Sequence, residues 1–260
     1  MAIGHFFYLR PAVKLFNKAR WNALVGDNAS KYLKYALGEI VLVVIGILIA
    51  IQINDWNDNR KEEKLKLKYF DRIQQELDDL EKQVMLNSLY VNDSMVPVLR
   101  NTISTIDNRN PLTAAEFESS LNVLTENEAL GLQLPIIREF LNQGSLSSVK
   151  SASVSQAFQH LEYCVHQREL IDDNVRQEHL QLIKPYLNKL IPYEVASSHI
   201  SLTKTDTTYL EEIYDDFYLR NLFANRMENL ILGSWRNAQL IAAAKKLSEE
   251  MKNYGQRYRD

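Results

Sequence analysis

The sequence predicts a mainly α protein with an N-terminal basic arm, one transmembrane helix and an extracytoplasmic antiparallel helical bundle. Three observations predict it. An unbroken apolar run, Ile40 to Ile51, lies early in the 260 residues. Glycine and proline are scarce, at 8 and 6 residues, which disfavours a turn-rich β fold and suits long helices. Beyond the run, apolar residues recur at alternating spacings of three and four, as on one buried helical face. The expected organisation is an arm over 1–34, a span over 35–54 and a bundle over 55–260.

The arm comes first. Residues 1–36 hold Arg10, Lys14, Lys18, Arg20, Lys31 and Lys34 against Asp27 alone, a net +5, so the rest of the chain carries −8 of the total −3. A basic arm ahead of an apolar run and an acidic body is a topology signal. The acidic body also argues against nucleic acid as a main partner. Residues 11–25 read as a helix, with Pro11 in its first turn and Gly26 after its end. Ala12, Leu15, Phe16, Ala19 and Ala23 share one face and Lys14 and Lys18 lie opposite, a pattern suited to an anionic membrane surface.

The span comes next. A helix from Tyr35 to Ile53 is about 28 Å long, close to the hydrocarbon thickness of a bilayer. Twelve of its residues are Leu, Ile or Val, and together they favour insertion by about 5 kcal/mol. Glu39 costs about 3 kcal/mol at a helix centre and less near the interface, so insertion wins. Tyr32 and Tyr35 on one side and Trp56 on the other read as interfacial anchors. Asn28 or Ser30 can cap the helix start. A cleaved signal is the competing reading, but the preceding arm is long and no small-x-small site follows Ala50. A buried strand is disfavoured by the length of the run and by the lack of similar partner strands. Arg60, Lys61, Lys64, Lys66, Lys68 and Arg72 follow the span and nearly balance the positive charge before it. The expected orientation places the N-terminus in the cytoplasm and the body outside it.

Within the span, Glu39, Val43, Gly46, Ala50, Ile53 and Asn57 fall at 4-3-4-3-4 spacing and share one face. Gly46 and Ala50 form a small-xxx-small pair that lets backbones approach. This is the expected transmembrane packing face, with a homo-oligomer or other membrane proteins as partners besides the lipid bilayer. Glu39 has three readings. It bonds a neighbouring helix, reaches water at the headgroup level, or marks an ion path.

The stretch "SKYLKYALGEIVLVVIGILIAIQINDWNDNRK", Ser30 to Lys61, resembles the signature of an uncharacterised single-pass membrane-protein family abundant in Bacteroidota. Lys31, Tyr32, Gly38, Glu39, Gly46, Gln52, Asn54, Trp56 and Asn57 carry the resemblance. It implies a short basic arm, one span and a helical body, and it implies no activity.

The body reads as helical throughout. Phe70, Ile73, Leu77, Leu80 and Val84 form a coiled-coil-like or bundle seam. Pro97 breaks or bends that helix, and Val98, Leu99, Ile103 and Ile106 extend its pattern. Asn108 to Pro111 is a turn. Thr113 and Glu116 make a capping box for a short helix. Residues 129–135 lack helical periodicity, and the short helix after them stops at Gly144. A long segment then places Val154, Phe158, Leu161 and Val165 on one face, followed by Val175, Leu182 and Tyr186, with Pro185 and Pro192 bending or ending it. Residues 193–206 read as a polar loop. The last helical region, about 207–253, begins rich in aromatics: Tyr209, Tyr214, Phe217, Tyr218 and Phe223. These read as core.

Candidates for chemistry are thin. One cysteine, Cys164, excludes an intramolecular disulfide. His160 and Cys164 lie four apart on one helical face, but His166 is about 200° round from Cys164, and two ligands do not make a metal site. Asp78–Asp79, Asp172–Asp173 and Asp215–Asp216 diverge by about 100° within each pair and read as solvated faces. No nucleophile elbow, P-loop or dinucleotide fingerprint is present, and no cofactor is expected. The expected function is a non-enzymatic, membrane-anchored interaction or scaffold protein. The alternative is an extracytoplasmic small-molecule sensor or transport accessory protein with a pocket between bundle helices. A closed apolar core favours the first and a pocket with converging polar groups the second.

Overall fold

The structure, a computed structural model, describes residues 29–126, 129–196, 199–202 and 209–259. The basic arm and its helix over 11–25 lie outside the described residues. The chain divides into two compact units, 1–63 and 64–260. Helix α1 (Ala29–Tyr90) gives its first part to one unit and its second part to the other. Ser30 lies inside α1, and Asn28 lies outside the described residues.

In the first unit α1 is an exposed apolar helix. Among the described residues it is the one helix long and apolar enough to cross a membrane, and its apolar window is wholly unburied.

The second unit is a helical bundle with a small hairpin. Its further elements are α2 (Val96–Asp107), α3 (Ala114–Thr125), α4 (Pro135–Asn142), α5 (Ala152–Glu178), α6 (Lys184–Leu190), β1 (Tyr193–Ala196), β2 (His199–Leu202), α7 (Tyr209–Glu212) and α8 (Phe217–Arg259). Helix α8 runs antiparallel to α1 and α2. Tyr254 meets Phe70, Lys245 pairs with Glu81, Asn237 bonds Asn87, and Arg220 pairs with Asp107. It is antiparallel to α5 as well: Asn237 bonds Arg168, and Asn229 bonds Glu178.

The local signals act as their chemistry requires. Thr113 Oγ1 accepts the Glu116 N–H while the Glu116 carboxylate accepts the Thr113 N–H at 2.9 Å, a complete capping box. Pro135 opens α4, and Gly144 stops it at φ 68°, a conformation glycine adopts without a Cβ penalty.

Pro97 and Pro185 do not break their helices. Each is preceded by one wide turn, over Val91–Met95 and His179–Ile183, in which an N–H bonds five residues back: Val96 to Val91 and Lys184 to His179. Proline lacks an N–H and crowds the carbonyl four residues earlier, so widening the turn lets the helix continue. The inserted residue shifts the buried face by one position. Ile183 and Leu187 are buried where Leu182 was expected, and Leu182 is exposed.

The expected polar loop over 193–206 is also corrected. Its first part is an antiparallel hairpin pairing Tyr193 with Leu202 and Val195 with Ile200. Four-residue strands leave too short a pattern to read, and the hairpin depends on a helix for its edge. Asn122 of α3 accepts the Ile200 N–H at 2.5 Å and donates to its carbonyl at 3.4 Å, and Glu118 accepts the Leu202 N–H at 3.2 Å. Side chains thus satisfy backbone groups that another strand would otherwise pair.

Two apolar clusters form the core. One centres on Phe70, Ile73, Phe140, Phe158 and Leu247. The other centres on Leu99, Phe117, Leu121, Ile183 and Phe223. The aromatic stretch of α8 divides: Phe223 is buried, whereas Phe217 and Tyr218 are exposed, contrary to the expected core role.

Candidate functional site

The expected packing face lies on α1. Glu39, Val43, Gly46, Ala50, Ile53 and Asn57 are all exposed on that helix, and a Cβ added at Gly46 would meet nothing within 4 Å. Tyr35 and Trp56 are exposed at the two ends, with the Arg60 guanidinium 5.6 Å from the Trp56 ring. The side chain of Tyr32 lies outside the described residues.

A second set of residues was not singled out from the sequence. Along each long helix of the body, polar side chains interrupt the buried seam between the two apolar clusters. These are Asn87 and Ser88 on α1, Arg168 and Asp172 on α5, and Arg226 and Asn237 on α8. Asn237 is fully buried. Its Oδ1 accepts from Arg168 Nε at 2.8 Å, and its Nδ2 donates to Asn87 Oδ1 and Ser88 Oγ at 3.0 Å each. The Arg168 guanidinium also pairs with the Asp172 carboxylate, one turn on. Asp172 accepts the Leu130 N–H at 3.1 Å, so this carboxylate belongs to the interior and not to the expected solvated face. Its neighbour Asp173 pairs with Arg176 in solvent. The spacing that sends adjacent carboxylates in different directions gives them different roles.

Arg226, about three turns before Asn237 on α8, is a further buried polar residue, at the side of the second cluster. It is 2% exposed, and its Nε donates to the Val123 carbonyl at 3.3 Å. Its Nη1 has no hydrogen-bond partner among the described residues. Burial lowers its pKa, and the Glu178 and Glu126 carboxylates pull the other way. Burial raises the Glu178 carboxyl, against smaller opposite effects of an Asn229 hydrogen bond and the Arg226 charge. His179 is lowered by burial and by the nearby Arg226 and Lys184.

A small cavity of about 50 Å³ is lined by Asn87, Glu126, Arg168, Asp172, Arg226 and Ser234, among others. Two wider grooves, about 410 and 690 Å³, lie on α4–α5 and beside α3 and are open to solvent.

His160 and Cys164 do meet, Nε2 to Sγ at 3.8 Å, with Cys164 buried and His160 exposed beside the Tyr163 ring. Among the described residues no three His, Cys, Asp or Glu side chains come together as a metal site would require.

Residues 39–123 match DUF6090, a family of unknown function. The DUF6090 match begins at Glu39 and runs through the span, α2 and most of α3, about a third of the chain. It overlaps the stretch that carries the family resemblance and brings no activity with it. No curated protein and no solved structure matches the chain.

Proposed function

We propose that this chain is a non-enzymatic interaction or scaffold protein anchored in a bacterial inner membrane by residues 35–54. Its N-terminus is cytoplasmic, its body lies outside the cytoplasm, and its partners pack against the Glu39–Asn57 face. One observation carries the reading: the apolar window of α1 is wholly unburied. A dozen exposed Leu, Ile and Val residues in water are strongly unfavourable, and lipid relieves that cost without any further protein. Gly46 and Ala50 add a surface on which a second helix can approach. The sensor alternative draws on the polar cavity, whose volume of about 50 Å³ is small against the roughly 300–1,000 Å³ of pockets that bind drug-sized molecules. It draws also on the grooves of about 410 and 690 Å³, which are open to solvent where such pockets bury most of the ligand surface.

The test is cysteine crosslinking in native membranes, in a Cys164→Ser background. Val43→Cys, Gly46→Cys and Ala50→Cys are expected to crosslink more than Val41→Cys, Val44→Cys and Leu48→Cys. Equal crosslinking all round removes self-association through this face. A reporter fused after Asp260 and active only outside the cytoplasm checks orientation; a silent reporter overturns it. Recovery of the chain in the soluble fraction after cell lysis overturns the anchor itself.

A further inference from the structure

We propose that one end of the unit formed by residues 64–260, the end at which α1 enters it, is a docking surface for the anionic lipid headgroups of a bilayer. Three parts of the chain build that end. The Lys66 ammonium on α1 donates to the Ser148 carbonyl at 2.6 Å, which fixes the turn after α4. The Tyr69 hydroxyl donates to the Glu139 carboxylate of α4 at 2.8 Å. The Phe70 and Tyr254 rings lie 5.5 Å apart, and Gly255 of α8 sits against Leu67.

Exposed bases gather on this end. Lys64 and Lys68 come from α1, Lys150 from the connection between α4 and α5, and Lys252 and Arg257 from the last turns of α8. Lys150, Lys252 and Arg257 are too far along the chain to act as flanking charges of a span, and only folding brings them here. Of the carboxylates nearby, Glu139 accepts from Tyr69 and lies 3.8 Å from Arg72, and Glu249 and Glu250 pair with Lys246. Asp71 is exposed and shares a groove between α1 and α8 with Lys252. The opposite end has the other sign. There Glu211 and Glu212 are exposed, and Asp107 and Asp215 occupy Arg220 and Arg109.

Two features select lipid as the partner. First, α1 reaches this end from the apolar segment read as the span, so the docking surface rests on the membrane-anchor reading. Second, Leu65 is 56% exposed between Lys64 and Lys68. An apolar side chain among cations suits a headgroup layer, where the cations meet phosphates and the apolar group meets the acyl boundary. An acidic protein surface matches the charges but not Leu65.

The experiment uses the full chain in lipid nanodiscs, made of phosphatidylcholine alone or with phosphatidylglycerol added. In a Cys164→Ser background, Ser147→Cys and Gln256→Cys each place one thiol on this end, at positions whose parent side chains are exposed. Asn108→Cys, exposed in the turn after α2, is the reference at the opposite end. The readout is the rate of labelling by a bulky, water-soluble maleimide. The two test thiols are expected to label severalfold more slowly in the phosphatidylglycerol discs, and the reference thiol to label alike in both. High salt should remove the protection, because it screens exposed charges. Lys68→Gln, Lys150→Gln, Lys252→Gln and Arg257→Gln together should remove it without salt. All four parent side chains are exposed, so the variant is expected to keep its helicity, which circular dichroism checks. Changing the three lysines to arginine instead should keep the protection. Equal labelling in the two kinds of disc overturns the docking surface. So does protection that survives both salt and removal of the four charges. A chain that enters neither kind of disc overturns the anchor itself and this surface with it, whereas a chain that enters both and labels equally leaves the anchor standing.

Discussion

Asn237 holds three helices at one level. Its carbonyl is the acceptor for Arg168 Nε, and its amide reaches Asn87 and Ser88 on α1. Asn237→Leu fills similar volume but leaves a buried cation short of an acceptor, and is expected to cost about 3 kcal/mol. Denaturant unfolding with an unchanged slope measures it. Converting Arg168, Asp172 and Asn237 together to apolar residues should recover most of that loss, since a whole buried ionic network is often replaceable. A triple variant no better than the single one would show that the layer is needed for stability itself. Glu178 gives a pH test. Its folded pKa lies above the ordinary 4.5, so the folded state holds this proton more tightly than the unfolded chain. Its cost to folding is absent below 4.5, grows as pH rises through that value and levels off above the folded pKa. Glu178→Gln is therefore expected to be more stable than the parent near neutrality and equal to it in acid. A gain that persists at the lowest pH contradicts this assignment. The polar layer was legible in principle. On α8 the positions 219, 223, 226, 230, 233, 237, 240, 244 and 247 alternate by four and three, and only 226, 233 and 237 depart from Leu, Phe or Ala. Reading charged residues by local clusters instead of by seam position hides this.

At the scale of elements, the wide turns decide which residues face inward. An uninterrupted helix through α5 would bring Leu182 to the core, whereas the extra residue in His179–Ile183 brings Ile183 and Leu187 there. Leu182→Asp is expected to leave stability within about 0.5 kcal/mol, and Ile183→Ala to cost about 2–4 kcal/mol. Thermal or denaturant unfolding of the two variants checks the register, and a reversed order of effects would restore the uninterrupted helix. Most of the elements were readable. The Phe70–Val84 seam, the Thr113 capping box and the Gly144 stop are local chemistry that acts within a few residues. The wide turns were not, because proline announces a conflict without saying whether the chain will break, bend or insert a residue. The hairpin was missed because its edge is completed by Asn122, about 78 positions away, and long-range partners leave no mark in a local window.

At the scale of the whole molecule, the unit formed by residues 64–260 contains both apolar clusters and every layer residue named above. A fragment of these residues is expected to fold without the span, because among the described residues both apolar clusters are built from positions 67 onward. Its far-ultraviolet circular dichroism should be strongly helical. The two clusters raise the question of whether it melts once or twice. Helices α5 and α8 run past the polar layer that separates the clusters, and Asn237 ties both to α1 at that level. Neither cluster can be lost without fraying helices that the other needs, so one cooperative transition is expected. The fragment offers its own second probe. Of the three tryptophans in the chain it keeps only Trp235, which lies two residues before the layer residue Asn237 on α8. Its fluorescence reports on the junction while circular dichroism reports on the helices as a whole. Coincident curves indicate that the layer couples the clusters; fluorescence changing at lower denaturant than helicity would show that the layer opens first and the clusters unfold as separate bodies. A spectrum dominated by strand or coil would contradict the bundle.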